Sequence, residues 1–240
     1  MACSTCMRRE SSDMNMQFRR NQRSSSVFFS MLLAAFSLFV NGFGVYLTIQ
    51  ANIGAGPWDV LSLGVSKTLG ILYGTASISI SLIILMIDIA LREPIGIAMF
   101  IDAVVVGKSV DLFNALNVIK PCKSPIAGIL MMLLGLIIMA YTQYGYMIAA
   151  LGCGPRDTLL VGMARRIRRV PIGIVSVALL SLATLLGGLL GGPVGIGTLI
   201  SAFCSGPIMQ AAFVSVHFDA THVHHQKLGD SFRVIFSGKV

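Results

Sequence analysis

The chain has 240 residues, 55% of them hydrophobic and 12% charged, with a formal net charge of +8. A soluble domain is typically about 25% charged, so the composition excludes a soluble enzyme or a soluble nucleic-acid-binding module. Val27–Trp58, Ile126–Pro155 and Val170–Phe218 hold no charged residue, and crossing a bilayer takes roughly 20 apolar residues. No segment alternates as a transmembrane β-strand does. The fold class expected is an all-α polytopic membrane protein that contacts the lipid bilayer.

Residues 1–26 form a polar, Ser- and Arg-rich leader, expected to be disordered and cytoplasmic. The apolar run from Val27 continues past Tyr46 without a small-residue cleavage site, so it reads as an uncleaved first span. Spans are predicted at 27–50, 72–91, 95–117, 126–150, 171–189 and 195–216. Arg92-Glu93-Pro94 and Gly191-Gly192-Pro193 mark two of the turns. Residues 217–240 are expected to form a cytoplasmic tail.

Two further pieces, Pro57–Leu69 and Pro155–Ile167, are 13 residues each. At about 20 Å of helix they are too short for a core of about 30 Å. Each opens with Pro, and Asp follows two positions later, as at a helix N-terminus where Pro loses no needed N–H and a carboxylate faces the positive dipole end. Such short helices are either re-entrant or interfacial.

The short pieces open two copies of one motif. Residues 54–59 read G-A-G-P-W-D and residues 152–157 read G-C-G-P-R-D. Residues 54–64 match 152–162 at 6 of 11 positions, and 94–107 match 193–206 at 6 of 14. The chain therefore reads as a duplication, 27–117 followed by 118–216, with three spans and one short helix in each copy.

Basic residues set the expected orientation. With six spans and a cytoplasmic N-terminus, 14 basic residues, including Arg92, Arg156 and Arg165 to Arg169, fall on the cytoplasmic side. Lys67, Lys120 and Lys123 fall on the other side, and Lys108 lies within a span. This bias predicts that both termini are cytoplasmic. Because three spans is an odd number, the two copies are expected to insert upside down relative to each other, a recurring transporter plan. An eight-span alternative, with both short helices crossing, makes the copies parallel and places Arg165–Arg169 outside, against the charge bias.

The G-x-G-P-x-D pair, the G-G-P-V-G-I-G-T segment at 191–198 and the paired three-span layout resemble the YczE/YyaS/YitT family of bacterial integral membrane proteins. The resemblance covers about residues 28–215. It implies a multi-pass protein of the bacterial cytoplasmic membrane, and it supplies a class without a reaction.

The candidate substrate-binding residues are Asp59, Arg156 and Asp157, with the helix-break glycines Gly54, Gly56, Gly152 and Gly154. Two acids in the bilayer must be paired, solvated or functional. They read either as capping carboxylates or as the walls of one polar cavity that takes a cation, a proton or a basic group. Arg156, beside a helix N-terminus, could instead hold an anion. The glycine gaps are expected to expose backbone groups to a ligand, tolerable only beside a polar cavity. Second in line are Asp102, Lys108 and Asp111, of which the last two are i, i+3 neighbours expected to pair. Asp88 and Arg92, at i, i+4, are likewise expected to pair.

Other motifs point to simpler roles. The 25 glycines serve close helix packing, and no glycine cluster is followed by Lys-Ser or Lys-Thr as a nucleotide loop requires. Cys3-x-x-Cys6 and the His217, His222, His224 and His225 group lack four-ligand zinc spacing, so no metal or cofactor is expected. No hydrolase motif occurs, and no enzyme activity is expected. The reading is passive or secondary transport of a small solute or ion. The alternative is a membrane accessory or regulatory protein that binds a protein partner. A homo-oligomer fits either, and nucleic acid is not an expected partner.

Overall fold

A computed structural model describes residues 24–93, 97–148, 154–167 and 170–216, with 24–31, 97, 98 and 148 described by backbone alone. The described residues form eight helices and no strand: α1 Ser24–Gln50, α2 Pro57–Leu69, α3 Tyr73–Ala90, α4 Ile97–Ala115, α5 Pro125–Ile148, α6 Pro155–Arg166, α7 Ile172–Leu189 and α8 Ile196–Ser215. The leader to residue 23, Gly152, Cys153, Arg168, Arg169 and the His-bearing tail lie outside the described residues.

Five helices (α1, α3, α5, α7 and α8) are long and apolar enough to cross a membrane. The sixth expected span, α4, has 19 residues and, with Asp102, Lys108 and Asp111, is less apolar than the other five. The short helices α2 and α6, of 13 and 12 residues, are half-length as expected. Helix starts in the second half follow those of the first at a nearly constant offset: Pro155 after Pro57, Ile172 after Tyr73, Ile196 after Ile97.

Packing follows the same register. α1 lies against α5 at the centre, with α4 on α1 and α8 on α5. α2 packs on α3 and α7, while α6 packs on α7 and α3. Each short helix therefore touches a long helix of the other half. α2 is inserted into the bundle and does not lie on its surface, because Val60 and Ser62 are fully buried.

Small residues permit these approaches. A Cβ on Gly135 would stand 2.8 Å from the Gly44 carbonyl and 3.3 Å from Leu47 Cβ, and one on Gly145 would stand 2.6 Å from Ser37 Oγ. These contacts bring the α1 and α5 backbones together where bulkier side chains would hold them apart. Phe39, Phe43, Tyr46 and Phe113 fill the α1–α4 seam with ring centroids 5.1–6.3 Å apart. The Tyr46 hydroxyl donates to the Ile119 carbonyl at 2.8 Å and accepts from the Ile119 N–H at 3.1 Å. Cys122 N–H donates to the Gln50 carbonyl. The α4–α5 loop is thereby fastened to the end of α1.

Gly135→Val should overpack the α1–α5 seam and cost about 1–3 kcal/mol. Leu130→Ala, at a site 64% exposed, should change stability by less than about 0.5 kcal/mol. Thermal unfolding in detergent compares the two, and equal effects would refute the close-packed seam.

Candidate functional site

The first helix break runs from Asn52 to Gly56. Two hydrogen bonds fasten it to the opening of α8: Ala55 N–H donates to the Pro193 carbonyl at 3.2 Å, and Gly197 N–H donates to the Ile53 carbonyl at 2.8 Å. The Gly195 N–H donates to Thr198 Oγ1 at 3.2 Å. The opening of α8 thus covers part of the first gap, and the N–H groups of Gly54 and Gly56 take no part in the two bonds that fasten it. Gly54 has φ +115°, and a Cβ there would stand 2.8 Å from Gly195 N, so glycine is required for the clasp. Gly152, its counterpart, lies outside the described residues.

Gly56 and Gly154 play a second role. A Cβ on Gly56 would meet Asp59 Oδ2 at 2.9 Å and Ser201 Oγ at 3.2 Å. One on Gly154 would meet Asp102 Oδ2 at 3.1 Å and Asp157 Oδ2 at 3.8 Å. Each glycine thus leaves room for the acid of its own short helix and for a polar residue of the other half. Asp59 and Asp157 each lie in the first turn of their short helix, where a carboxylate faces the positive end of the helix dipole.

The two short helices meet through side chains. Arg156 Nη1 stands 3.9 Å from Asp59 Oδ1, and Nη2 donates to Ser77 Oγ at 3.3 Å. The guanidinium carbon lies 5.5 Å from the centre of the Trp58 ring, within cation–π range. Tyr73 donates its hydroxyl proton to Asp59 Oδ1 at 2.8 Å. Asp59 is buried and Arg156 is half-buried. Asp157 is exposed, and Gln143 Nε2 donates to its Oδ2 at 3.4 Å. Arg156 lies within electrostatic reach of Asp59, Asp102 and Asp157. One guanidinium therefore stands against Asp59, with the charges of Asp102 and Asp157 within its electrostatic reach. Among the described residues no three His, Cys, Asp or Glu side chains converge as a metal site would need.

The second-line residues separate. Asp102 joins the cluster, whereas Asp111 Oδ1 accepts the Gly74 N–H at 2.7 Å at the start of α3, a carboxylate placed on a helix N-terminus. Lys108 is exposed and forms no ion pair with Asp111, which corrects the expected i, i+3 pair. The expected Asp88–Arg92 pair also fails. α3 ends at Ala90 and Arg92 turns into the left-handed region at φ +54°, out of helical register. Asp88 is left fully buried with neither oxygen hydrogen-bonded. Arg165 pairs with Glu93 at 3.3 Å, and Arg166 donates to the Leu91 carbonyl, joining α6 to the end of α3.

Sequence reasoning passed over Tyr73, Ser77, Gln143 and the contact made by Trp58. A signal for three of them was present. Aligning the halves sets Tyr73 against Ile172, Gln143 against Val45 and Arg156 against Trp58.

A family profile described as a family of unknown function (DUF6198) matches residues 28–213, and the chain belongs to that family. It is similar to an uncharacterised protein of Haemophilus influenzae, with 28% identity over 192 residues covering 80% of this chain and 86% of the relative. It is 30% identical to the uncharacterised membrane protein YczE of Bacillus subtilis over 176 residues, 72% of this chain and 80% of YczE. The uncharacterised protein YyaS of the same organism is 27% identical over 184 residues, 75% of this chain and 89% of YyaS. No solved structure matches. The fold and these relatives make the chain a multi-pass membrane protein.

Replacing Arg156 with Ala leaves Asp59 buried beside Tyr73 without its cation. The loss should be about 1–3 kcal/mol, partly recovered in Asp59→Asn/Arg156→Ala. Additive losses in thermal unfolding would show that the two residues do not interact.

Proposed function

For this member of the family we propose a transporter that moves a small cationic solute or ion, passively or in exchange for another gradient, across the bacterial cytoplasmic membrane. In this reading both termini face the cytoplasm, the halves 27–117 and 118–216 insert in opposite orientations, and the chain performs no covalent chemistry. The observation that carries it is the contact between Trp58 and Arg156. They occupy the same motif position in the two halves, and residues equivalent by an internal two-fold meet only on its axis. Asn41 and Met139, 98 positions apart, also meet, through Asn41 Nδ2 and the Met139 carbonyl at 3.5 Å.

Inverted-repeat transporters bind substrate at the repeat interface, beside interrupted helices. The cluster of Asp59, Asp102, Arg156 and Asp157 stands at that place, with both short-helix N-termini. Three carboxylates against one guanidinium leave two negative charges when all are ionised, which favours a cation over an anion. Buried acids in a membrane are costly and usually face a hydrated path. The charge distribution supports the orientation, since Arg165 and Arg166 gather at the α3–α4 turn with Glu93.

Thermal shift of the detergent-purified protein against alkali cations, ammonium and small organic amines tests the site. A binder at 100 times its dissociation constant should stabilise by about 2.7 kcal/mol. Asp59→Asn/Asp157→Asn should remove that shift and abolish uptake of the same cation into proteoliposomes, while membrane insertion is kept. An undiminished shift in the double variant would end the assignment. Absence of any cation shift, together with a stoichiometric protein partner mapped to Arg165 and Arg166, would favour the accessory role instead. Reporter insertions after Gly70 and Ile167 should report opposite faces of the membrane. The same face for both would overturn the inversion.

A further inference from the structure

The two halves match in sequence register and differ in one packing contact. In the first half α3 lies tightly on α4: a Cβ on Gly107 would stand 2.9 Å from the Gly74 carbonyl, and one on Gly74 would clash with the Gly107 carbonyl and with Asp111. The Asp111 carboxylate accepts the Gly74 N–H across the same seam. The corresponding residues of the second half are Gly173 and Gly206, so both glycines are present again. There a Cβ on either would find nothing within 4 Å. α7 and α8 make no substantial contact, although every other pairing within a half recurs in its counterpart. Half of α3 is buried, against 17% of α7.

Between α7 and α8 lies a cleft of about 600 Å³, bordered by Leu180, Thr184, Leu199 and Phe203. Its lining includes Pro57 and Thr198, beside the clasp at the first helix break, with Pro57 two residues before Asp59. The α8 wall also carries Pro207 within the helix, directly after Gly206. Proline lacks the N–H that would bond the carbonyl four residues earlier, that of Phe203, so α8 bends most cheaply there. The first-half counterpart of Pro207 is Lys108, which leaves α4 without that hinge.

We propose that α7 and α8 form a gate, open in this structure, which closes by bringing Gly173 onto Gly206, and that it alternates with the α3–α4 seam, closed here through Gly74, Gly107 and Asp111. The proposal deepens the transport reading above and rests on its two inverted halves. Closure of one pair while the other opens would expose the Asp59–Arg156 cluster to each side in turn. The first half shows what covers the glycine face: the partner helix of the same half. A second copy of the chain or a permanently bound acyl chain would leave Gly173 and Gly206 apart within each molecule.

Cysteine pairs read the distance without a known substrate. In full-length protein whose native cysteines have been replaced, Gly173→Cys/Gly206→Cys is oxidised with copper phenanthroline in native membranes, and bridging is measured as loss of maleimide labelling after denaturation. Ser37→Cys/Gly145→Cys is the positive control, because a Cβ at 145 stands 3.5 Å from Ser37 Cβ, within disulfide range of about 3.5–4.5 Å. Ile174→Cys/Gly206→Cys is the off-register control. The gate predicts a bridged fraction for the 173–206 pair well above the off-register pair. It also predicts that Asp111→Asn, which weakens the charged hydrogen bond holding the α3–α4 seam, raises the ratio of bridged to unbridged chains roughly tenfold. No bridging where the positive control bridges, bridging only between two chains, or indifference to Asp111→Asn would each overturn it. The readout is independent of cation binding: bridging with no cation shift would leave the gate and remove the site, and the converse would remove the gate alone.

Discussion

A guanidinium inside a membrane bundle has to be held by opposite charge or by oriented π-density, because its solvation is lost there. The close contacts of Arg156 are with groups of the first half: Asp59 on α2, Ser77 on α3 and the Trp58 face. Its position is thus fixed by the other half of the molecule. α6 is drawn onto α3, as α2 lies on α7, and the crossed packing of the short helices sets where everything else can sit. The glycine clasp around residues 53–56 and the seam between α1 and α5 are the small-residue geometry that makes such proximity possible.

Much of the architecture is legible in the sequence, because hydropathy and helix-breaking residues act locally. The predicted starts at Pro57 and Pro155 coincide with those of α2 and α6, since proline at a first helical turn constrains the backbone whatever surrounds it. The predicted span limits near residues 72, 126, 171 and 195 fall within one residue of the observed helices. Pairings across the structure are less legible. Lys108 and Asp111 have the spacing of a helical ion pair, yet Asp111 goes to the backbone of α3. A short, charge-assisted bond to a helix N-terminus outcompetes a flexible lysine that reaches the surroundings of the bundle. Asp88 and Arg92 have i, i+4 spacing on paper, but the helix ends between them.

The site was partly legible for the same reason. Asp59, Arg156 and Asp157 stand out because charge within apolar sequence is conspicuous. Tyr73 is an ordinary residue at the start of a span until Asp59 is found beside it. Its role depends on two helices being brought together, which no local pattern encodes. The break glycines look like an opening toward a ligand, and two hydrogen bonds to residues 193–197 cover part of the first gap. Irregular backbone in a bilayer is tolerated when protein covers it as well as when water does.

Under the inverted-repeat reading proposed above, the encounter of Trp58 with Arg156 bears on why both modules belong to one polypeptide. Had the ancestor assembled as two identical subunits, a position on the symmetry axis would have met itself: indole against indole, or two guanidinium cations pressed together. Neither pairing joins a cation to an aromatic face. Covalent fusion frees the two registers to evolve separately, so the midpoint of the assembly can hold a heterotypic couple that no symmetric dimer could build.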